Sequence, residues 1–87
     1  MPIRVEFSGV ARRVVGRASL DVEAVSVTTA LQQIVQACPA FEENCLRDGR
    51  LSANFLASIN GERFTRDGDE LLRDGDALLI VSADAGG

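Results

Sequence analysis

Residues 77–83, Ala77-Leu78-Leu79-Ile80-Val81-Ser82-Ala83, are a continuous apolar run near the end of an 87-residue chain. A run of that length suits a central strand covered on one face and partly on the other. The chain opens with a second strand pattern, in which Ile3, Val5 and Phe7 alternate with Arg4, Glu6 and Ser8. That alternation predicts a half-buried strand. Period two resumes over residues 18–23, with Leu20 and Val22 opposite Ser19, Asp21 and Glu23. Gly9 to Arg17 breaks the alternation. The first two strands therefore read as an antiparallel hairpin with a basic loop carrying Arg12, Arg13 and Arg17.

The period then changes. Val27, Ala30, Leu31, Ile34, Val35 and Cys38 recur at helical spacing, with Thr28, Thr29, Gln32, Gln33 and Gln36 on the other side. This predicts an amphipathic helix of about three turns. Ser26 is its expected N-cap, and Pro39 should end it near Cys38. Residues 40–47 form one more short turn, with Phe41 and Leu46 inward. Asp48-Gly49 marks a turn, and residues 53–59 read as a third strand, with Phe55, Ala57 and Ile59 on one face. Asn60-Gly61 is a strong hairpin signal. Residues 62–76 read as loop-rich, anchored by Leu71 and Leu72. The order ββαβ(β)β puts one main helix against a mixed sheet of four to five strands. The last strand fits best beside the first, in the middle of the sheet. That arrangement is an α+β β-grasp roll, expected over residues 1–83, with 84–87 a short flexible tail.

Composition narrows the function. Hydrophobic residues make up 46% and charged residues 25%, and nine basic against thirteen acidic residues leave a net charge of −4. An acidic chain without a basic stripe disfavours nucleic acid or an anionic membrane as main partner. No apolar run approaches the ~20 residues that cross a bilayer. The alternating start is not a secretory signal, so a cytoplasmic location is expected. There is no His, Trp, Tyr or Lys, and every basic residue is Arg. Histidine triads, histidine zinc ligands, Schiff-base lysines and P-loop lysines are therefore excluded.

The remaining candidates for chemistry are few. On a continuous helix the spacing of Cys38 and Cys45 would put their Cα atoms about 10 Å apart, too far for a disulfide. They read as small buried apolar residues, and Glu42, Glu43 and Asp48 do not favour a reactive thiolate. Asp67, Asp69, Glu70, Asp74 and Asp76 do not follow the calcium-loop frame, and their Asp-Gly pairs are explained as turns. No metal site and no bound cofactor are expected.

The terminal Asp84-Ala85-Gly86-Gly87 is different. It follows the last strand closely, and glycine lacks the Cβ that would bar a narrow cleft. A carboxylate becomes an acyl donor once its oxygen is made a good leaving group, as adenylation by ATP does. Such a chain is a co-substrate of another enzyme and needs no catalytic residues of its own.

These features together resemble the MoaD/ThiS-type sulfur carrier proteins of the ubiquitin-like β-grasp fold, over essentially the whole chain. The resemblance is carried by Ile3-Arg4-Val5-Glu6-Phe7-Ser8-Gly9 with Arg12 and Val15-Gly16. It extends through Ala30-Leu31, Ile59-Asn60-Gly61-Glu62, Leu72-Arg73-Asp74-Gly75-Asp76 and the Gly-Gly end. It implies a thiocarboxylate on Gly87, formed by an ATP-using adenylating enzyme and a sulfur donor enzyme, then passed to a sulfur-accepting synthase. The pathway served stays open among molybdopterin, thiamin, cysteine, tRNA thiolation and specialised metabolites. Conjugation of the chain to target lysines as a ubiquitin-like modifier is the alternative, and a non-catalytic interaction module is a second. In either carrier or modifier, Leu79, Val81 and Leu56 are expected to face outward beside the tail as a docking patch.

Overall fold

The computed structural model describes residues 2–83. Strand β7 (Ala77–Ser82) lies between β1 (Ile3–Phe7), to which it runs parallel, and β5 (Phe55–Ile59), to which it runs antiparallel. With β2 (Ser19–Val22) beyond β1 and β6 (Arg63–Thr65) beyond β5, the sheet has five strands in the order β2-β1-β7-β5-β6. The apolar run is thus central, flanked on both sides. The β-grasp reading of the sequence holds.

One face of the sheet, with Ile3, Val5, Phe7, Val22, Phe55, Ala57, Ile59, Leu78 and Ile80, shares a core with helix α2 (Val27–Ala37). That helix buries Val27, Ala30, Leu31 and Ile34. Its first turn is capped as its sequence requires: Ser26 Oγ accepts a hydrogen bond from the Thr29 amide at 3.2 Å. Pro39 follows its last turn, and the short helix α3 (Ala40–Cys45) then buries Phe41 and Cys45. The rings of Phe7 and Phe41 meet edge to face, with centroids 6.1 Å apart. A two-stranded ribbon, β3 (Leu46–Arg47) and β4 (Arg50–Leu51), turns at Asp48-Gly49.

Three expectations need correction. The segment between β1 and β2 is not a loop but the helix α1 (Gly9–Val15). It buries Ala11 and leans Val14 and Val15 on the core, and it ends at Gly16 in the left-handed conformation. Two glycines bound it within seven residues, too few for a helical period to stand out against Arg12 and Arg13. Leu71 does not anchor its segment: it is 74% exposed, while Leu72 beside it is buried. Finally, the stretch read as loop after Asn60-Gly61 contains β6, which pairs with β5 through Ala57–Thr65 and Ser58–Phe64.

Asn60 and Gly61 both have positive φ, as the tight turn between β5 and β6 requires. The Asn60 side chain also clamps the start of β7. Its Nδ2 donates to Asp76 Oδ1 at 3.0 Å, and its Oδ1 accepts from the Ala77 amide at 2.8 Å. The Arg73 amide donates to Asp76 Oδ2 at 2.8 Å. This backbone donor, then the Asn60 amide, holds the Asp76 carboxyl below the usual aspartate value. A carboxyl whose pKa is lowered by folding stabilises the fold above its unfolded value, near 3.9, and loses that contribution as pH falls through the folded value. Thermal melts at falling pH should therefore drop more steeply below about pH 4 for the parent than for Asp76→Asn. Parallel curves would show that the clamp does not depend on the charge.

Candidate functional site

β7 ends at Ser82, and that end is fixed by three bonds. The Ser8 amide donates to the Ile80 carbonyl at 3.1 Å, and the Ala83 amide donates to the Asn54 carbonyl at 2.7 Å. The buried Ser82 hydroxyl accepts from the Val10 amide at 3.3 Å, which ties the last residue of β7 to the first turn of α1. The serine therefore does for α1 what its own N-cap residue Ser8 does not, since Ser8 makes no side-chain cap bond.

Gly9 permits this approach. It sits at φ +60°, and a Cβ there would come within 2.8 Å of Ser82 Oγ. Gly16, at φ +80°, has open space around it. A left-handed residue with a side chain costs roughly 1–2 kcal/mol. Gly16→Ala should lose about that much, whereas Gly9→Ala should lose more, because Ser82 must also move. Adding Ser82→Gly to Gly9→Ala should recover the difference in a denaturant melt. Equal losses for the two alanine variants would mean that the Ser82 approach is not constrained.

Beside this end of β7 lies the sheet face turned away from α2. Leu78 and Ile80 point into the core, and Leu79 and Val81 point outward and are half-buried. Leu56 lies opposite Val81 on the same outer face, so Leu56, Leu79 and Val81 are brought together. Phe64, 66% exposed, extends the patch through its pairing with Ser58, which in turn lies opposite Leu79. The sequence reading missed Phe64 because β6 has only three residues. The signal that was present is Asn60-Gly61, since such a turn calls for a returning strand. Across β1 the patch is bordered by the ion pair of Arg4 and Glu6, 4.0 Å apart. Asp84, Ala85, Gly86 and Gly87 lie outside the described residues.

Little else is equipped for chemistry. Among the described residues no group of three or more His, Cys, Asp or Glu could hold a metal ion, and no helix is long and apolar enough to cross a membrane. Burial, and then the nearby Cys38, push the Cys45 thiol up to about 11. The Cys38 thiol points to the Val14 carbonyl at 3.8 Å. A hollow of about 710 Å³ lies at the other end of β7, around Asn60, Arg63, Glu70 and Arg73. Its Arg63 and Glu70 are paired with each other.

No family model and no curated protein sequence matches the chain. Solved structures do. SAMP1 from Haloferax volcanii is 25% identical, and the match covers all of both chains with a TM-score of 0.85. The Haloferax volcanii HVO 2177 protein is 27% identical, with a TM-score of 0.77 over 100% of this chain and 87% of that one. A putative molybdopterin converting factor, subunit 1, from Pyrococcus furiosus has the same fold at 21% identity. That match has a TM-score of 0.76, over 94% of this chain and 97% of that one. With the central parallel pair β1–β7, the single main helix and a likeness to SAMP1 that runs end to end, the chain has the ubiquitin-like β-grasp fold that its resemblance to the MoaD/ThiS-type carriers implies.

Proposed function

We propose that this chain is a sulfur carrier whose terminal glycine, Gly87, is adenylated by a partner enzyme and converted to a thiocarboxylate. The observation that carries the reading is the anchored end of β7 at Ser82 and Ala83, from which the sequence runs directly into Gly86-Gly87. The apolar outer face formed by Leu56, Leu79, Val81 and Phe64 adjoins that end and offers a surface on which an activating enzyme would sit. The absence of His and Lys from the sequence suits a co-substrate better than a catalyst. ATP belongs to the partner in this scheme, as do the sulfur donor enzyme and the sulfur-accepting synthase. The chain itself holds no cofactor.

A second reading has its own support. Haloferax volcanii small archaeal modifier protein 1 is 25% identical with a TM-score of 0.80, which favours conjugation to target proteins as the competing role. Both roles begin with the same acyl adenylate and part at the nucleophile that follows. Intact mass of the protein isolated from its host separates them. Replacement of one oxygen of the Gly87 carboxylate by sulfur supports the carrier. Recovery of Gly87 only in isopeptides to lysines of other proteins supports the modifier, and an unmodified carboxylate in both searches leaves the interaction module.

A further inference from the structure

We propose that the Asn60-Gly61 bond is a site of spontaneous covalent modification, by loss of ammonia and uptake of water, and that the clamp tying the Asn60 side chain to β7 holds it in check. The turn between β5 and β6 demands these residues. Asn60 sits at φ 56° and Gly61 at φ 69°, and the left-handed region favours asparagine and glycine. The same pair is chemically labile. The Gly61 amide nitrogen attacks the side-chain Cγ of Asn60 when the two meet, and glycine carries no side chain to hinder the approach. The C–N bond forms, the bond from Cγ to Nδ2 breaks, and the amide proton leaves with Nδ2 as ammonia. Water then opens the cyclic imide at either carbonyl, which leaves aspartate or isoaspartate at position 60.

Both residues are exposed, and the hollow beside them is lined by Asn60, Arg73 and Asp76, so water has access to the bond. What keeps the carbon from the nitrogen is the direction in which the side chain is held. Ala77 is gripped twice: its amide donates to Asn60 Oδ1 at 2.8 Å, and its carbonyl accepts from the Asn60 amide at 2.7 Å. Asn60 Nδ2 donates to Asp76 Oδ1 at 3.0 Å, and Oδ2 of the same carboxylate is fixed by the Arg73 amide at 2.8 Å. β7 and β6 lie on opposite sides of β5. The clamp therefore turns Cγ toward β7, while Gly61 leads away to β6. Ring closure first requires the side-chain bonds to open. A reaction that proceeds only through an opened conformer is slowed by the fraction of time that conformer is populated.

Modification also undoes the clamp. The Nδ2 donor that faces Asp76 becomes a carboxylate oxygen, so two anionic groups meet where an amide and a carboxylate were bonded. Only the bond from the Ala77 amide keeps its acceptor. The isoaspartate form in addition inserts a methylene into the backbone of the turn. The product therefore loosens the start of the central strand β7, and nothing in the reaction reverses it.

The test incubates the full chain at mildly alkaline pH, folded and in guanidinium chloride, and follows conversion of amide to acid by intact mass. Peptide mapping assigns the position, since the other asparagines, Asn44 and Asn54, precede Cys45 and Phe55 rather than glycine. The folded parent should convert at position 60 at least about tenfold more slowly than the denatured chain. Asp76→Ala, shown to be folded by circular dichroism, should convert roughly threefold to tenfold faster than the parent, the range that loss of one hydrogen bond allows. Gly16→Ala, destabilised away from the clamp, should stay near the parental rate, which separates release of the clamp from global unfolding. If Asp76→Ala does not fold, Asp76→Ser takes its place, because one hydroxyl oxygen cannot span both donors as a carboxylate does. Asn60→Asp should melt below the parent. Equal rates in the folded and denatured parent, a parental rate in the folded Asp76 variant, an equal acceleration in Gly16→Ala, or an Asn60→Asp variant as stable as the parent would each overturn the proposal.

Discussion

Deletion of Gly87 should abolish ATP–pyrophosphate exchange with the cognate activating enzyme while leaving the melting temperature within about a degree of the parent, as expected when no core contact is lost. The two halves of that result have separate causes. Among the described residues the buried apolar ones run from Ile3 to Ile80, and a glycine carries no side chain whose packing could be lost. The carboxylate of Gly87, in contrast, is the reacting group of the proposed chemistry, and its loss moves the chain end back by one residue, about 3.4 Å. An attacking oxygen displaced that far cannot reach the α-phosphorus, because productive geometry tolerates misplacement of only about 1 Å. Gly86→Val should come close to the deletion, since it adds a branched side chain where the cleft must close around the acyl adenylate. Asp84→Ala should be milder, being further from the reacting bond. Normal exchange by the deletion variant would sink the carrier and modifier readings together, and the interaction module would stand.

Much of the fold is legible in the sequence because its signals are long or chemically specific. Residues 77–83 are apolar without a break, and only a central strand satisfies them in so small a sheet. The helical spacing from Val27 to Cys38 is bounded by a capping Ser26 and a terminating Pro39, and the structure places both ends there. What escapes is short. α1 has seven residues and β6 has three, and neither is long enough for a period to be counted. Each is instead fixed by tertiary bonds that no local pattern announces: Val10 to Ser82 for α1, and the pairing with β5 for β6. The candidate site follows the same division. Leu79, Val81 and Leu56 follow from strand alternation, since their neighbours Leu78, Ile80 and Phe55 belong to the core. Phe64 joins them only through cross-strand pairing. The Ser82–Gly9–Val10 anchor joins residues more than seventy positions apart and leaves no trace in local sequence.

Leu79→Asp and Leu78→Asp should separate docking from folding, because adjacent residues on β7 face opposite sides of the sheet. Leu78 has no exposed surface and packs between Val5 and Ile59. A carboxylate there has no partner and must be desolvated, so Leu78→Asp should fail to fold. Leu79 is half-buried on the outer face, beside Ser58 on one strand and Glu6 on the other. An aspartate there remains hydrated, and the cost to the fold should be small, although Glu6 opposite adds a like-charge repulsion of roughly 0.2–1 kcal/mol. Its effect on binding should be large. A charge placed at the centre of the patch formed with Leu56, Val81 and Phe64 would have to be dehydrated when a partner covers it. The expected loss of affinity for the activating enzyme is at least about 100-fold, or about 2.8 kcal/mol. Phe64→Ala, at the exposed margin, should weaken binding less, by roughly tenfold. Circular dichroism and titration calorimetry on the same samples check both halves. Folded Leu79→Asp with parental affinity would move the docking surface off this face, and folded Leu78→Asp would contradict the register of β7 on which the patch depends.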